Sequence, residues 1–308
     1  MQIELSEIQE FKVPLGWLKC VAFSPVDSQS LAIASYEHDV CVWELSEDGK
    51  LANLHQQLTG HTDSINSITW SRDGLYLVSG SVDKTIRKWN ASTGECQLMI
   101  VTRGRVNAAA LSPDNKHIAS CGFNNSVYVW DATSGDRVLG PLRRHTNYVR
   151  TVIYSPDGWY ILSGSADNTV IVWDSITGLI LFGPFTSHSD RIRSISFHPL
   201  GERFVTGSSD NTFTIWDAKS FQPIYENLRV HNGWLSSVQY SPDGRFILSA
   251  SDDGTLTVWD AKKGRVASSP VKNGCSVWTA SFLPDGWWII SGDSNGMAKI
   301  WEVRVYNI

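Results

Sequence analysis

SPDGWYILSGSADNTVIVWD, from Ser155 to Asp174, returns 86 residues later as SPDGRFILSASDDGTLTVWD, from Ser241 to Asp260, with 13 of 20 positions identical. A stretch that recurs this closely marks a chain assembled from copies of one unit. Tryptophan sets the ruler. Trp43, Trp89, Trp130, Trp173, Trp216, Trp259 and Trp301 are spaced by 46, 41, 43, 43, 43 and 42 residues. Each is followed by Asp, Glu or Asn, and about 18 residues before each stands a turn signal: SPVD at Ser24, SRDG at Ser71, SPDN at Ser112, SPDG at Ser155, HPLG at His198, SPDG at Ser241 and LPDG at Leu283.

Within the unit around Trp173 the punctuation yields four strands. TVIYS ends at Pro-Asp-Gly, YILSGS at Asp167-Asn168, TVIVW at the turn Ser175 to Gly178, and LILFGPF completes the set. Short β-branched and aromatic runs between turn residues are strands, and no helix-length amphipathic stretch interrupts them. A four-stranded sheet that is apolar on both faces cannot bury itself alone and must stack on its copies.

The bulk numbers fit one large all-β domain. The chain has 308 residues, 42% hydrophobic and 19% charged, which is a globular composition. A net charge of −5 argues against a generic nucleic-acid binder. MQIELSEIQEF lacks the basic start and apolar run of a signal peptide, and no run approaches the ~18 apolar residues that span a bilayer. Cys20, Cys41, Cys96, Cys121 and Cys275 are scattered and odd in number, which reads as free thiols. The expected address is the cytoplasm, with the nucleus as the other reducing compartment.

Period, turn and Trp-Asp dipeptide resemble the WD40 repeat family, and the likeness covers essentially the whole chain. It is similar above all to the regular WD40 arrays of fungal NACHT-type receptors; no GxxxxGK[ST] loop is present, so only the propeller part of those proteins carries over. The resemblance implies a single seven-bladed β-propeller of four-stranded antiparallel blades, with repeat units at about 14–57, 58–100, 101–142, 143–185, 186–228, 229–271 and 272–308. The last unit is short: only EVRVYNI follows Trp301. The unclaimed segment Glu7 to Val13 (residues 7–13) is expected to supply the missing outer strand and close the ring.

Four units carry a His 22 residues before the turn Asp: His61/Ser79/Asp83/Trp89, His145/Ser163/Asp167/Trp173, His188/Thr206/Asp210/Trp216 and His231/Ser249/Asp253/Trp259. A hydrolase triad is needed once, whereas this set occurs four times. The resemblance implies a buried structural chain from Asp through His and Ser or Thr to the indole, which holds a blade rigid. Three units depart from it, with Leu15/Ile33/Glu37, Thr102/Ser120/Asn124 and Asn273/Ser291/Asn295 at the same places. His38, His55, His117 and His198 have no metal-ligand spacing. No unique acid–base or nucleophile set points to an enzyme, and no cofactor or metal is called for.

If the units share the fold, function lies where they differ. The resemblance places the residues seven and five before each turn signal, and the one before the turn Asp, at the rim of the central channel. Trp17, Lys19, Tyr36, Arg105, Phe123, Tyr148, Arg150, Arg191, Arg193, Trp234 and Trp278 stand at these positions, against one acid, Asp252. Arginine forks grip carboxylate and phosphate, and aromatic rings anchor apolar groups. Arg150, Arg191 and Arg193 are expected to hold the anion of an acidic or phosphorylated peptide, with Trp17, Tyr148 and Trp234 holding its apolar side chains. A lectin-like carbohydrate reading rests on the same tryptophans, and a polyanion reading (nucleic acid or inositol lipid) on the same arginines. Trp159 and Trp287 follow turn glycines at the opposite face, where they could form a second patch; packing on a neighbouring strand is the expected role.

Overall fold

The computed structural model describes residues 2–13, 16–27, 29–46 and 50–306. Every helix or strand among them is a β-strand. In the quoted unit, Val149–Tyr154 pairs with Tyr160–Ser165, that strand with Val170–Asp174, and that with Ile180–Phe185, all antiparallel. The first turn shows why the motif reads Ser-Pro-Asp-Gly. The Asp157 carboxylate accepts from the Ser155 hydroxyl and the Trp159 amide, and the Ser155 oxygen accepts from the Tyr160 amide. Gly158 sits at φ +80°, a left-handed conformation that suits glycine.

Seven such sheets form. Their innermost strands are Leu18–Phe23, Ile65–Trp70, Val106–Leu111, Val149–Tyr154, Ile192–Phe197, Leu235–Tyr240 and Val277–Phe282, here blades one to seven. Each innermost strand packs against its counterparts in both neighbouring blades, the seventh against the first. The result is the expected seven-bladed β-propeller. Seven apolar clusters fill the seven interfaces between blades, and the repeat tryptophans of blades two to seven are buried in them.

The ring closes through its termini. Gln2–Lys12 pairs antiparallel with Met297–Tyr306, the third strand of blade seven. The closing strand begins five residues earlier than the expected start at Glu7. Its early residues Ile3 and Leu5 are buried against blade six, which is what extends it. Blade six also departs from a plain four-stranded sheet. Its outer strand is split into Arg265–Val266 and Val271–Lys272, both paired with Thr255–Asp260. Between the two pieces, Ser268 turns inward so that its hydroxyl accepts from the Val258 amide, and Ile3 pairs with Ser268 from the neighbouring blade.

Candidate functional site

One irregularity builds the channel wall. Every innermost strand slips register by one residue against its partner, and the extra residue is Lys19, Asn66, Asn107, Arg150, Arg193, Ser236 or Trp278. A β-bulge re-aims the side chain it carries. Here it turns all seven into one cavity of about 460 Å³. Three of them are neutral clips: Asn66 donates to the Val106 carbonyl at 2.9 Å, Asn107 to that of Val149 at 2.7 Å and Ser236 to that of Val277 at 2.6 Å. Lys19, Arg150 and Arg193 replace such clips with charge.

A second repeated contact fixes the rim. In every blade the residue before the turn Asp, or its equivalent, donates its amide to the carbonyl seven residues before the turn signal. The pairs include Tyr36 to Trp17 at 3.2 Å, Phe123 to Arg105 at 3.4 Å and Asp252 to Trp234 at 2.9 Å. Each blade thereby presents two side chains side by side. In blade three the neighbour Gly122 lies so close to the Arg105 carbonyl that a Cβ there would collide with it.

Nine of the eleven rim residues named from sequence line the cavity: Lys19, Tyr36, Arg105, Phe123, Tyr148, Arg150, Arg193, Trp234 and Trp278. Trp17 and Arg191 lie outside its lining but touch it. Trp17 packs on Tyr36 and Trp278 with ring centroids 5.4 and 5.7 Å away. Arg191 donates to the Tyr148 hydroxyl at 2.9 Å. The aromatic rings are partly engaged already. Phe123 stacks on Tyr148 at 4.9 Å, and the Arg193 guanidinium lies 4.7 Å from the Trp234 ring.

The cavity is electrostatically unbalanced. Lys19, Arg105, Arg150 and Arg193 line it, and Asp252 is the one carboxylate among the described lining residues. Asp252 is itself hydrogen-bonded by the Ser276 hydroxyl. Burial, with Arg150 and Arg191 nearby, pushes the Arg193 guanidinium down to about 10. Burial likewise lowers Lys19, with Arg150 and Arg193 adding to the effect. Like charges held close in a half-buried site favour an incoming anion. Arg193 Nε donates to Ser209 Oγ at 2.6 Å, which steadies the fork and leaves its terminal nitrogens for a ligand.

The four His sets lie away from this cavity, inside their blades. In blade four, His145 Nδ1 donates to Asp167 at 2.9 Å, Ser163 Oγ donates to His145 Nε2 at 2.8 Å, and the Trp173 indole donates to Ser163 Oγ at 2.8 Å. Blade two repeats the chain. His61 donates to Asp83, Ser79 Oγ donates to His61 Nε2 at 2.7 Å, and the Trp89 indole donates to Ser79 Oγ at 2.9 Å. In blade five the hydroxyl is a threonine's. Thr206 Oγ1 donates to His188 Nε2 and accepts from the Trp216 indole, both at 2.9 Å, while His188 donates to Asp210 at 3.0 Å. Blade six keeps the inner half, with Ser249 Oγ donating to His231 Nε2 at 2.7 Å and accepting from the Trp259 indole at 2.9 Å. Its outer half departs from the direct His-to-Asp link expected from sequence. His231 Nδ1 donates to Thr255 Oγ1 at 2.7 Å, and that hydroxyl donates to Asp253 at 2.6 Å.

Ser79, Thr206 and Ser249 differ from the rim residues named beside them in one decisive respect. Like Ser163, they are fully buried in the middle strands of their blades, and none of them lines the channel cavity. A ligand at the channel mouth cannot touch these hydroxyls, so they bear on the stability of a blade and not on binding. The threonine is a fifth member that sequence reasoning missed. Thr85, Thr169 and Thr212 also donate to their Asp. The signal was an Asp-x-Thr at each site.

The three exceptional blades rank by what remains. In blade seven Asn273 accepts from Ser291 at 2.6 Å, and Trp301 donates to Ser291, so a shorter chain persists. In blade three Trp130 donates to Ser120 at 2.7 Å, while Thr102 bonds elsewhere. In blade one Ile33 offers no acceptor, and the buried Trp43 indole nitrogen has no partner among the described residues; Leu15 lies outside the described residues. An unpaired buried donor costs about 1–3 kcal/mol. Amide hydrogen exchange in Ser30–Ser35 and Val40–Leu45 is therefore expected to run faster than in Tyr160–Ser165 and Val170–Asp174. Equal protection in the two pairs of strands would refute this.

On the opposite face Trp159 and Trp287 are 59% and 56% exposed, so they do not pack down on neighbouring strands as expected. Both directly follow a turn glycine at the edge of the sheet, where the side chain is carried out to solvent. Among the described residues no cluster of His, Cys, Asp or Glu could hold a metal ion, and no helix is long and apolar enough to cross a membrane.

A family model described as "WD domain, G-beta repeat" matches residues 52–90, 94–131, 137–174, 181–217, 221–260 and 268–302. Blade one, whose indole is unpaired, falls outside the matched segments except for its outer strand. WD repeat, SAM and U-box domain-containing protein 1 of Danio rerio is 34% identical over 119 residues, 38% of this chain and 23% of that protein. Protein HIRA of Dictyostelium discoideum is 35% identical over 105 residues, 30% of this chain and 9% of that protein. Small ribosomal subunit protein RACK1 of Drosophila melanogaster is 26% identical over 185 residues, 44% of this chain and 58% of that protein. The chain spans less than two thirds of the length of each of these relatives.

Proposed function

The chain belongs to the WD40 repeat family, and from that premise we propose that it is a non-enzymatic interaction propeller whose basic channel mouth binds an acidic or phosphorylated peptide segment. The observation that carries this is the charge of one cavity: four cationic side chains against a carboxylate that already has a partner. Arg150 and Arg193 are assigned to grip the anion from the channel wall. Arg191, tied to Tyr148 at the rim, steers it in. The Phe123–Tyr148 stack offers an apolar shelf beside them. Repeat relatives include one named as a small ribosomal subunit protein, a constituent of a larger assembly. A ligand-sensing propeller is the other form of this reading, and it would use the same mouth.

An array of acidic and phosphorylated peptides, probed with the parent and with Arg150→Ala/Arg193→Ala, tests the reading. Each charge-assisted hydrogen bond contributes about 1.5–3 kcal/mol, so the double variant should bind its best peptide at least ~10-fold more weakly. Its melting temperature should hold, because removing two crowded cations relieves repulsion. Undiminished binding by the variant removes these arginines from the site. A steep fall of affinity with salt, scaling with several phosphates, would instead assign the mouth to a polyanion.

A further inference from the structure

The cation nearest the seam of the ring is not placed like the others. The Lys19 ammonium lies 4.9 Å from the centroid of the Tyr36 ring and 4.7 Å from that of Trp278. Trp17 closes the group, in contact with both rings. Two ring faces, one from blade one and one from blade seven, with Trp17 packed against both rings, thus form a box, and the chain's own lysine fills it. Among the described residues the ammonium donates to no acceptor. It is held by ring faces alone, in a cavity where Arg150 and Arg193 repel it.

Rings gathered about a cation form a cation site, since each face presents the negative lobe of its quadrupole. The resident here is tethered and weakly held. Cation–π contact at a partly exposed site is weaker than a hydrogen bond to a charged acceptor. An anion seated at Arg150 and Arg193, in the same cavity, offers Lys19 the better partner.

We propose that Tyr36 and Trp278, braced by Trp17, form an ammonium-binding box gated by Lys19: the lysine fills it while the channel is empty and leaves it for an anion bound at Arg150 and Arg193, opening the box to a cationic group of the ligand. The ligand class is then dipolar, carrying a phosphate or carboxylate and, within one or two residues, a lysine, arginine or methylated amine. The coupling rests on the anion reading above, whereas the box and its occupant stand without it.

The test uses tetramethylammonium as the cation and inorganic phosphate as the anion, followed by NMR on the Trp17 and Trp278 indole resonances. For the parent, saturating phosphate should tighten tetramethylammonium binding about fivefold or more, within the range of ordinary site-to-site coupling. For Lys19→Met the box stands open. Tetramethylammonium should bind it at least as tightly as it binds the phosphate-loaded parent, with or without phosphate. The parent and variant are also compared without phosphate in about 0.5 M sodium chloride, where screening acts over about 4 Å, so that a gain surviving there comes from the box rather than from lost repulsion. Lys19→Gln serves the same purpose if Lys19→Met melts early. A parent indifferent to phosphate that nevertheless binds phosphate overturns the gate. A Lys19 variant that binds tetramethylammonium no better than the parent overturns the box. If the parent binds no phosphate while Lys19→Met still gains the cation, the anion reading falls and the box survives.

Discussion

A chain lacking residues 1–13 is expected to lose the cooperative unfolding of the ring. Gln2–Lys12 is the outer strand of blade seven, hydrogen-bonded along nearly its full length to Met297–Tyr306. Its deletion removes Ile3, Leu5 and Val13, all buried, from the two clusters on either side of blade seven. Each such side chain contributes about 1.5–3 kcal/mol on burial, which sums to a large part of the ~5–15 kcal/mol that holds a domain folded. The Lys299 ammonium, paired with Glu7 at 3.0 Å and Glu10 at 3.5 Å, also loses both partners. The exposed third strand becomes an open edge, a template for aggregation. Calorimetry should show either no single transition or a midpoint lowered by more than ~10 °C. A synthetic peptide of residues 1–13 should restore part of the loss by re-pairing with that edge. A truncated chain that melts within ~2 °C of the parent would show that the seam carries no stability.

The seven blades were legible because their signal recurs seven times, so an error in one unit is corrected by the other six. The closure was legible from subtraction: a unit missing its fourth strand and a strand without a unit. What sequence alone did not reveal is register. The bulge that aims Lys19, Arg150 and Arg193 into the channel is a property of two strands paired, not of either one. Its trace is nevertheless in the chain. VRTVIY, IRSISF and INSITW place apolar residues at the first and fourth positions with two polar residues between, which breaks the alternation of a flat strand. Arg191 illustrates the opposite case. It stands at an equivalent rim position to Tyr148, yet its guanidinium reaches along the rim to the Tyr148 hydroxyl instead of into the cavity. Only side-chain geometry decides between those courses. The split outer strand of blade six is likewise set by neighbours that no periodicity encodes.

Asp167→Ala is expected to destabilise blade four strongly without touching the channel mouth. The Asp167 carboxylate accepts from His145 Nδ1, from the Thr146 and Thr169 amides, and from the Thr169 hydroxyl. Removing it strands four donors at a site where the two side chains of the pair are 1% and 8% exposed. Breaking a buried, hydrogen-bonded pair by deleting one partner costs about 3–5 kcal/mol, equivalent to a fall of roughly 5–8 °C in melting temperature for a chain of this size. The same chemistry predicts acid lability. Burial lowers His61 and His231 below the usual histidine range, so in the folded blades these rings stay neutral where the unfolded chain would take a proton. The unfolded state therefore binds more protons as pH falls through about 6.5, and stability declines from there. Hydrogen bonds from histidine and threonine hold Asp167 well below the ordinary carboxylate range and Asp210 at about 2, against burial acting the other way. Their contribution is complete above about pH 4 and is lost as pH drops toward 2. The parent should lose stability in two steps on acidification, and Asp167→Ala should lose part of the second. Peptide binding by the folded fraction of the variant should equal that of the parent, because the network and the arginines belong to different layers of the blade. A variant that melts like the parent but no longer binds would move Asp167 from the scaffold to the site.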